Sequence, residues 1–172
     1  TAATTLSVIN GATAGAIAIT EADDVSVSGS NGFATGAVSI TATDGSITVN
    51  ATNLSSNNGV ITLTAKDATA DNSTPSGITV TGTITSGGGA INLVAADDIA
   101  LGANVNATGG TVTITADDAT SDTFADTDGA ITRTGGTVTG GTVNLNAEEG
   151  IAAFTAATTL SVINGATAGA IA

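Results

Sequence analysis

The chain has 172 residues and carries 15 Asp and Glu against only two basic residues, Lys66 and Arg133, for a formal charge of −13. Such a polyanion repels phosphate, which argues against nucleic acid and anionic membrane surfaces as partners. The absence of Cys removes disulfide scaffolds, thiol nucleophiles and zinc-thiolate sites, and no run of about 18 apolar residues offers a membrane-inserting helix.

Long straight-chain helix formers are scarce, while Thr, Ser, Val, Ile, Asn and Gly dominate, a composition that predicts strands and turns. The only aromatics are Phe33, Phe124 and Phe154. A wide globular core draws much of its buried area from large rings, so a narrow core of Ile, Val, Leu and Ala is expected instead. A hydrophobic content of 41% separates the chain from the low-hydrophobicity signature of disorder.

Residues 1–18 read TAATTLSVINGATAGAIA, and residues 155–172 repeat them without change. Residues 1–154 therefore form one full long repeat, and residues 155–172 begin the next identical one. A shorter pattern runs inside that unit. In chain order, Gly15 opens GAIAITEADD, Gly36 opens GAVSITATDG, Gly59 opens GVITLTAKDA, Gly89 opens GAINLVAADD, Gly110 opens GTVTITADDA and Gly141 opens GTVNLNAEEG. Each is a glycine, a strand with apolar residues at alternate positions, then an acidic turn. The two-residue period of a strand turns Ile17 and Ile19, or Val112 and Ile114, to one face and the small polar residues to the other.

With Gly169 starting the next unit, each anchor glycine follows the one before it at a spacing of roughly 20 to 30 residues, within the range of solenoid repeats. Coils of that length suit three short strands and three turns, so the sequence predicts an all-β parallel β-helix, or β-solenoid. It forms one continuous segment over 1–172 with about six coils per 154-residue repeat. An immunoglobulin-like sandwich array, the rival, requires units of about 100 residues and does not fit this spacing.

The two longest of the inner steps, from Gly59 to Gly89 and from Gly110 to Gly141, contain matched segments, DATADNSTPSG over 67–77 and DATSDTFADTDG over 118–129. Both follow the same strand and read as insertions at one corner, with Pro75 blocking strand pairing in the first. Insertions on one corner of a solenoid commonly form its recognition surface.

Acidic turns are the one constellation able to carry specific chemistry. If coils stack in register, the acids at Asp23, Asp24, Asp44, Asp97, Asp98, Asp117, Asp118, Glu148 and Glu149 would line up about 5 Å apart, and a cation would relieve the repulsion. Calcium, which takes six to eight oxygens, is the candidate. The residues expected to hold it are Asp97, Asp98, Asp117, Asp118 and the cluster Asp122, Asp126 and Asp128. The competing reading is that these acids are solvated turn residues bonded to nearby amides. Threonine rows at 111, 113 and 115, and at 79, 81, 83 and 85, are read as exposed strand positions that ladder across coils.

The segment GAINLVAADDIALGANVNATGGTVTITADDA, residues 89–119, resembles the coils of filamentous-haemagglutinin-type exoproteins, and related patterns occur in autotransporter passengers. The resemblance covers 15 to about 153. It implies a right-handed β-helix, export to the bacterial cell surface or into a secreted filament, and a role in adhesion or aggregation. An export signal would lie outside residues 1–172. The motif marks coils rather than a site, so no functional residue is carried over.

Two functions follow. The first is a structural segment of a surface filament or adhesin stalk, with neighbouring copies of the repeat, or head-to-tail contacts, as partners. The second is a calcium-dependent adhesion module that binds a host receptor or glycan through 67–77 and 118–129. Catalysis is not expected: with His, Trp and Tyr all absent, neither general acid–base work nor a sugar platform is available.

Overall fold

A computed structural model describes residues 4–9, 15–31, 36–68, 76–122, 129–165 and 170–172. Among them there is no helix, and fifteen strands form one continuous parallel sheet. The sheet follows the chain round in three ladders.

The first ladder stacks the start of β3 (Val25–Asn31), the start of β5 (Ile47–Ser56), β7 (Ile78–Val80), β10 (Ile99–Leu101), β12 (Ala130–Arg133) and β14 (Gly150–Ile151). The second takes the ends of β3 and β5, then β8 (Ile84–Ser86), then the starts of β11 (Val105–Thr115), β13 (Val138–Ala147) and β15 (Thr155–Asn164). The third stacks β2 (Ile17–Glu21), β4 (Val38–Ala42), β6 (Ile61–Ala65) and β9 (Ile91–Ala95) with the ends of β11, β13 and β15. At the N-terminal end, β1 (Thr5–Ile9) pairs with β3.

In-register stacking places like on like. Val25, Ile47, Ile78, Ile99, Ile131 and Ile151 form one aliphatic column, and Ile40, Leu63, Leu93, Ile114 and Leu145 another. All of these are buried, so the core is the narrow axial column that a chain almost without aromatics requires. Fully burying each such side chain contributes about 1.5–3 kcal/mol.

Glycine sets the corner between the second and third ladders. A Cβ on Gly36 would lie 1.6 Å from the Gly15 carbonyl oxygen, and one on Gly59 would lie 1.9 Å from that of Gly36. No side chain fits where one coil's backbone rests on the next. Inside the same corner the buried Ser86 hydroxyl donates to the Gly59 carbonyl at 3.0 Å, and the Ser56 hydroxyl accepts from the Gly59 amide at 3.0 Å.

Five of the six glycine steps survive as ladder registers: Ile17 to Val38, Val38 to Ile61, Ile61 to Ile91, Ile91 to Val112 and Val112 to Val143. The sixth does not. Val143 stacks on Leu160, a much shorter advance than the expected one from Gly141 to Gly169, because β15 bends through the second and third ladders just as β13 does. Gly169, the expected opener of that step, lies outside the described residues.

Candidate functional site

The corner between the third and first ladders carries the acidic turns and both insertions. Its geometry follows from the residue that immediately precedes each strand of the first ladder. Ladder bonds from Val25 to Ser46, Ile47 to Gly77 and Ile78 to Asp98 stack these positions as Asp24, Ser46, Gly77 and Asp98. The Asp24 Oδ1 accepts from the Ser46 amide at 2.7 Å, the Ser46 Oγ from the Gly77 amide at 3.3 Å, and the Asp98 Oδ1 from the Ala130 amide at 2.8 Å. Asp97 accepts from the Ser76 amide through Oδ2.

The expected file of stacked carboxylates is interrupted where Ser46 and Gly77 separate Asp24 from Asp98, whereas Asp97 and Asp117 do stand on adjacent coils, joined by the Asp117 amide and the Asp97 carbonyl. The carboxylates of Asp24, Asp98 and Asp97 each serve a backbone N–H of a neighbouring coil, in an exposed hydrogen bond at Asp24 and Asp98 and a part-buried one at Asp97.

The insertions do share the corner. The first follows β6 and the second follows β11, with the short turn 96–98 of the intervening coil between them. They meet across that turn through a parallel bridge between Asp67 and Asp122, in which the Asp67 amide donates to the Ser121 carbonyl at 3.0 Å. Asp67, Ser76 and Ser121 are all buried there.

Asp118 organises the base of the second insertion. Its Oδ2 accepts from the Thr120 hydroxyl at 2.6 Å and from the Ser121 hydroxyl at 2.8 Å, while its carbonyl accepts from the Ser121 and Asp122 amides. Asp117 is held at φ 55°, a left-handed conformation that Asp tolerates, and its amide faces the Asp97 carbonyl at 3.3 Å.

Of the residues predicted for calcium, the structure thus brings Asp97, Asp117, Asp118 and Asp122 to one corner, with Asp98 in the same turn as Asp97. Asp126 and Asp128 lie outside the described residues. Among the described residues no three carboxylates converge on a point that would hold a metal ion. What the arrangement does is tie turn to turn between coils.

The same device recurs at the corner between the first and second ladders, where sequence reasoning missed it. Asn53 Oδ1 accepts from the Thr83 amide at 2.9 Å, and Asn104 Oδ1 from the Thr137 amide at 2.9 Å. The available signal was an Asn placed directly before the aliphatic that enters the second ladder, Asn53 before Leu54 and Asn104 before Val105. Arg133 sits beyond this corner, donating from Nε to the Gly136 carbonyl at 2.9 Å with its guanidinium 5.5 Å from the Phe154 ring centroid.

The threonine rows divide. Thr111, Thr113 and Thr115 alternate with buried Val112 and Ile114 on β11, as expected. The row from Thr79 to Thr85 does not form one flat face, because Thr79 belongs to the first ladder and Thr85 to the second. On the third ladder, Asn side chains tie to the neighbouring row, Asn92 to Thr62 and Asn144 to Thr113.

Comparison with protein-family models, curated proteins and solved structures finds no match.

Proposed function

We propose that this chain is a segment of an extracellular structural shaft, a right-handed parallel β-solenoid with at least six coils in each 154-residue unit. Its neighbours along the axis are further copies of the same unit. The observation that supports this best is the continuity of the three ladders, in which every central coil pairs in parallel register with the coils before and after it. Each coil touches only its neighbours, so stability accumulates along the array, and added units extend reach without redesign. Length is then the product of the fold. With no His, Tyr or Trp and with carboxylates engaged by backbone amides, we assign the chain no catalytic role.

Solution scattering tests this on chains carrying one, two and three copies of the unit. Each copy is expected to add about 30 Å to the longest dimension, six or more layers at roughly 4.8 Å, at constant cross-section. Growth of the cross-section, or far longer increments typical of beaded domains, would overturn the shaft.

The bridge between Asp67 and Asp122 favours a second reading, in which the joined insertions form one contact surface for a receptor or glycan. Replacing 69–75 and 123–128 by Gly/Ser of equal length is expected to abolish binding to a glycan array or a host-cell surface while leaving circular dichroism unchanged. Undiminished binding would remove this reading and leave the shaft.

A further inference from the structure

Acidic charge in this chain is confined to one corner of the coil. Each of the 15 acids falls, along the sequence, in a stretch from the last residue of a third-ladder strand to the first of the next first-ladder strand, beginning with Glu21 at the end of β2 and finishing with Glu148 and Glu149 after β13. Lys66 lies in one of the same stretches and Arg133 ends β12, so no outward position of the third ladder is charged.

The third ladder is also the broadest face. Seven strands stack in it, and β2, β4, β6 and β9 run five residues each. Its outward side carries two columns, one through Thr62, Asn92 and Thr113 beside the glycine corner, the other through Thr64, Val94 and Thr115 beside the acidic one. None of these six is buried. Asn92 donates along the face to the Thr62 hydroxyl at 3.4 Å, which keeps its side chain down on the sheet. Thr and Asn side chains each carry a donor and an acceptor, so a face built from them is complementary to a copy of itself.

We infer that two copies associate side by side through their third ladders, with the shafts pointing the same way. The inference goes beyond the shaft reading and rests on it for coils stacked along one axis. Area selects the face. At roughly 30 Å by 16 Å it offers about 500 Å² on each copy, so pairing buries about 1,000 Å², the size at which specific interfaces begin. The first and second ladders share registers only three residues long, and a face that narrow would bury about 600 Å².

Charge selects the direction. With the two-fold axis along the shafts, the strands of the two copies run in opposite senses across the interface and the acidic corners fall on opposite flanks. They are then about 16 Å apart, twice the screening length of physiological salt. With the shafts antiparallel both acidic corners fall on the same flank, about 10 Å apart across packed sheets, and repel along their whole length.

The two directions bring different residues together at β9, the middle strand of the seven. Shafts pointing the same way set Asn92 of one copy against Val94 of the other, whereas antiparallel shafts set Asn92 against Asn92. The chain has no Cys, so Asn92→Cys and Val94→Cys chains are mixed in equal amounts, oxidised with diamide and read by intact mass. The mixed disulfide is expected to exceed either like disulfide by more than about tenfold. Sedimentation gives the second measurement. The 172-residue chain is expected to dimerise reversibly below about 1 mM. Asn92→Glu is expected to weaken the dimer more than about tenfold, while Thr79→Glu, the same charge placed on the first ladder, leaves it unchanged.

A dominant Asn92 like disulfide overturns the same-way arrangement, and Asn92→Glu weakening the dimer no more than Thr79→Glu overturns the choice of face. A chain that stays monomeric up to about 1 mM overturns the pairing altogether and leaves the face to another partner. In each of these cases a single-shaft cross-section in dilute solution leaves the shaft standing. A cross-section wider than one shaft that persists on dilution and in the Asn92→Glu chain removes the shaft and the pairing together.

Discussion

Two corners of this solenoid obey opposite rules. Between the second and third ladders each coil's glycine lies against the carbonyl of the coil before it, and a single methyl group on Gly59 would fall 1.9 Å from the Gly36 oxygen. Between the third and first ladders the chain passes in a short turn over 96–98 in one coil and takes a far longer excursion over 116–129 in the next. The difference lies in how the backbone groups are satisfied. At the glycine corner backbone meets backbone and no side chain fits at the glycine itself, although the path from Ala107 to Thr111 on β11 is two residues longer than its counterpart from Gly140 to Thr142 on β13. At the acidic corner side-chain oxygens of Asp24, Ser46 and Asp98 reach up to the amides of the next coil, so the path between those anchor points is free to vary. The largest changes in coil length fall at the place where side chains, rather than ladders, make the connection.

The sharpest way to break the contrast is Gly59→Ala. Its Cβ must displace backbone on both coils, and a loss of more than about 3 kcal/mol is expected in urea unfolding. Gly88→Ala is the matched control. There the nearest atom is the Asn58 side-chain Oδ1 at 3.0 Å, and the cost is expected to stay under about 1 kcal/mol. Similar losses at the two positions would show that the glycine column is not what fixes the coil.

A smaller effect is expected at the acidic corner. Asp98→Ala strands the Ala130 amide and costs about 1 kcal/mol, whereas Asp98→Asn keeps an acceptor and recovers most of it. If Asn and Ala behave alike in thermal melts, the carboxylate is a solvated charge and the tie between turns is unimportant. Smallest of all is the Gly/Ser replacement of 69–75 and 123–128. Loop composition far from the ladders changes little, so stability is expected to move by less than about 0.5 kcal/mol in the same melts. A larger drop would mean that the insertions brace the corner they leave.

Much of this architecture could be read from the residues. Alternation such as Ile61-Thr62-Leu63-Thr64 gives strand and face directly, and the repeating glycine marks a corner where no side chain fits, so five ladder steps follow from counting. The sixth could not be counted. Leu160 and Val162 present the same spacing of aliphatics as Ile17 and Ile19, and alternation alone does not say which of two eligible segments stacks on Val143. The acids were found but their arrangement was not, since vertical alignment at the variable corner depends on turn lengths that are set independently in each coil. Asn53 and Asn104 escaped because their role is visible only once the amides of Thr83 and Thr137 are known to stand opposite them.

The ladder bonds run from coil to coil, along the direction in which a tether would be pulled. Tension on the two ends therefore bears on the outermost layer first and strips it while the layers behind stay folded. The layers also differ in chain content, the path from Val112 to Val143 being longer than that from Ile91 to Val112, so each rupture releases its own length of slack. A rod built this way yields gradually under load, and it rewinds from whatever remains intact.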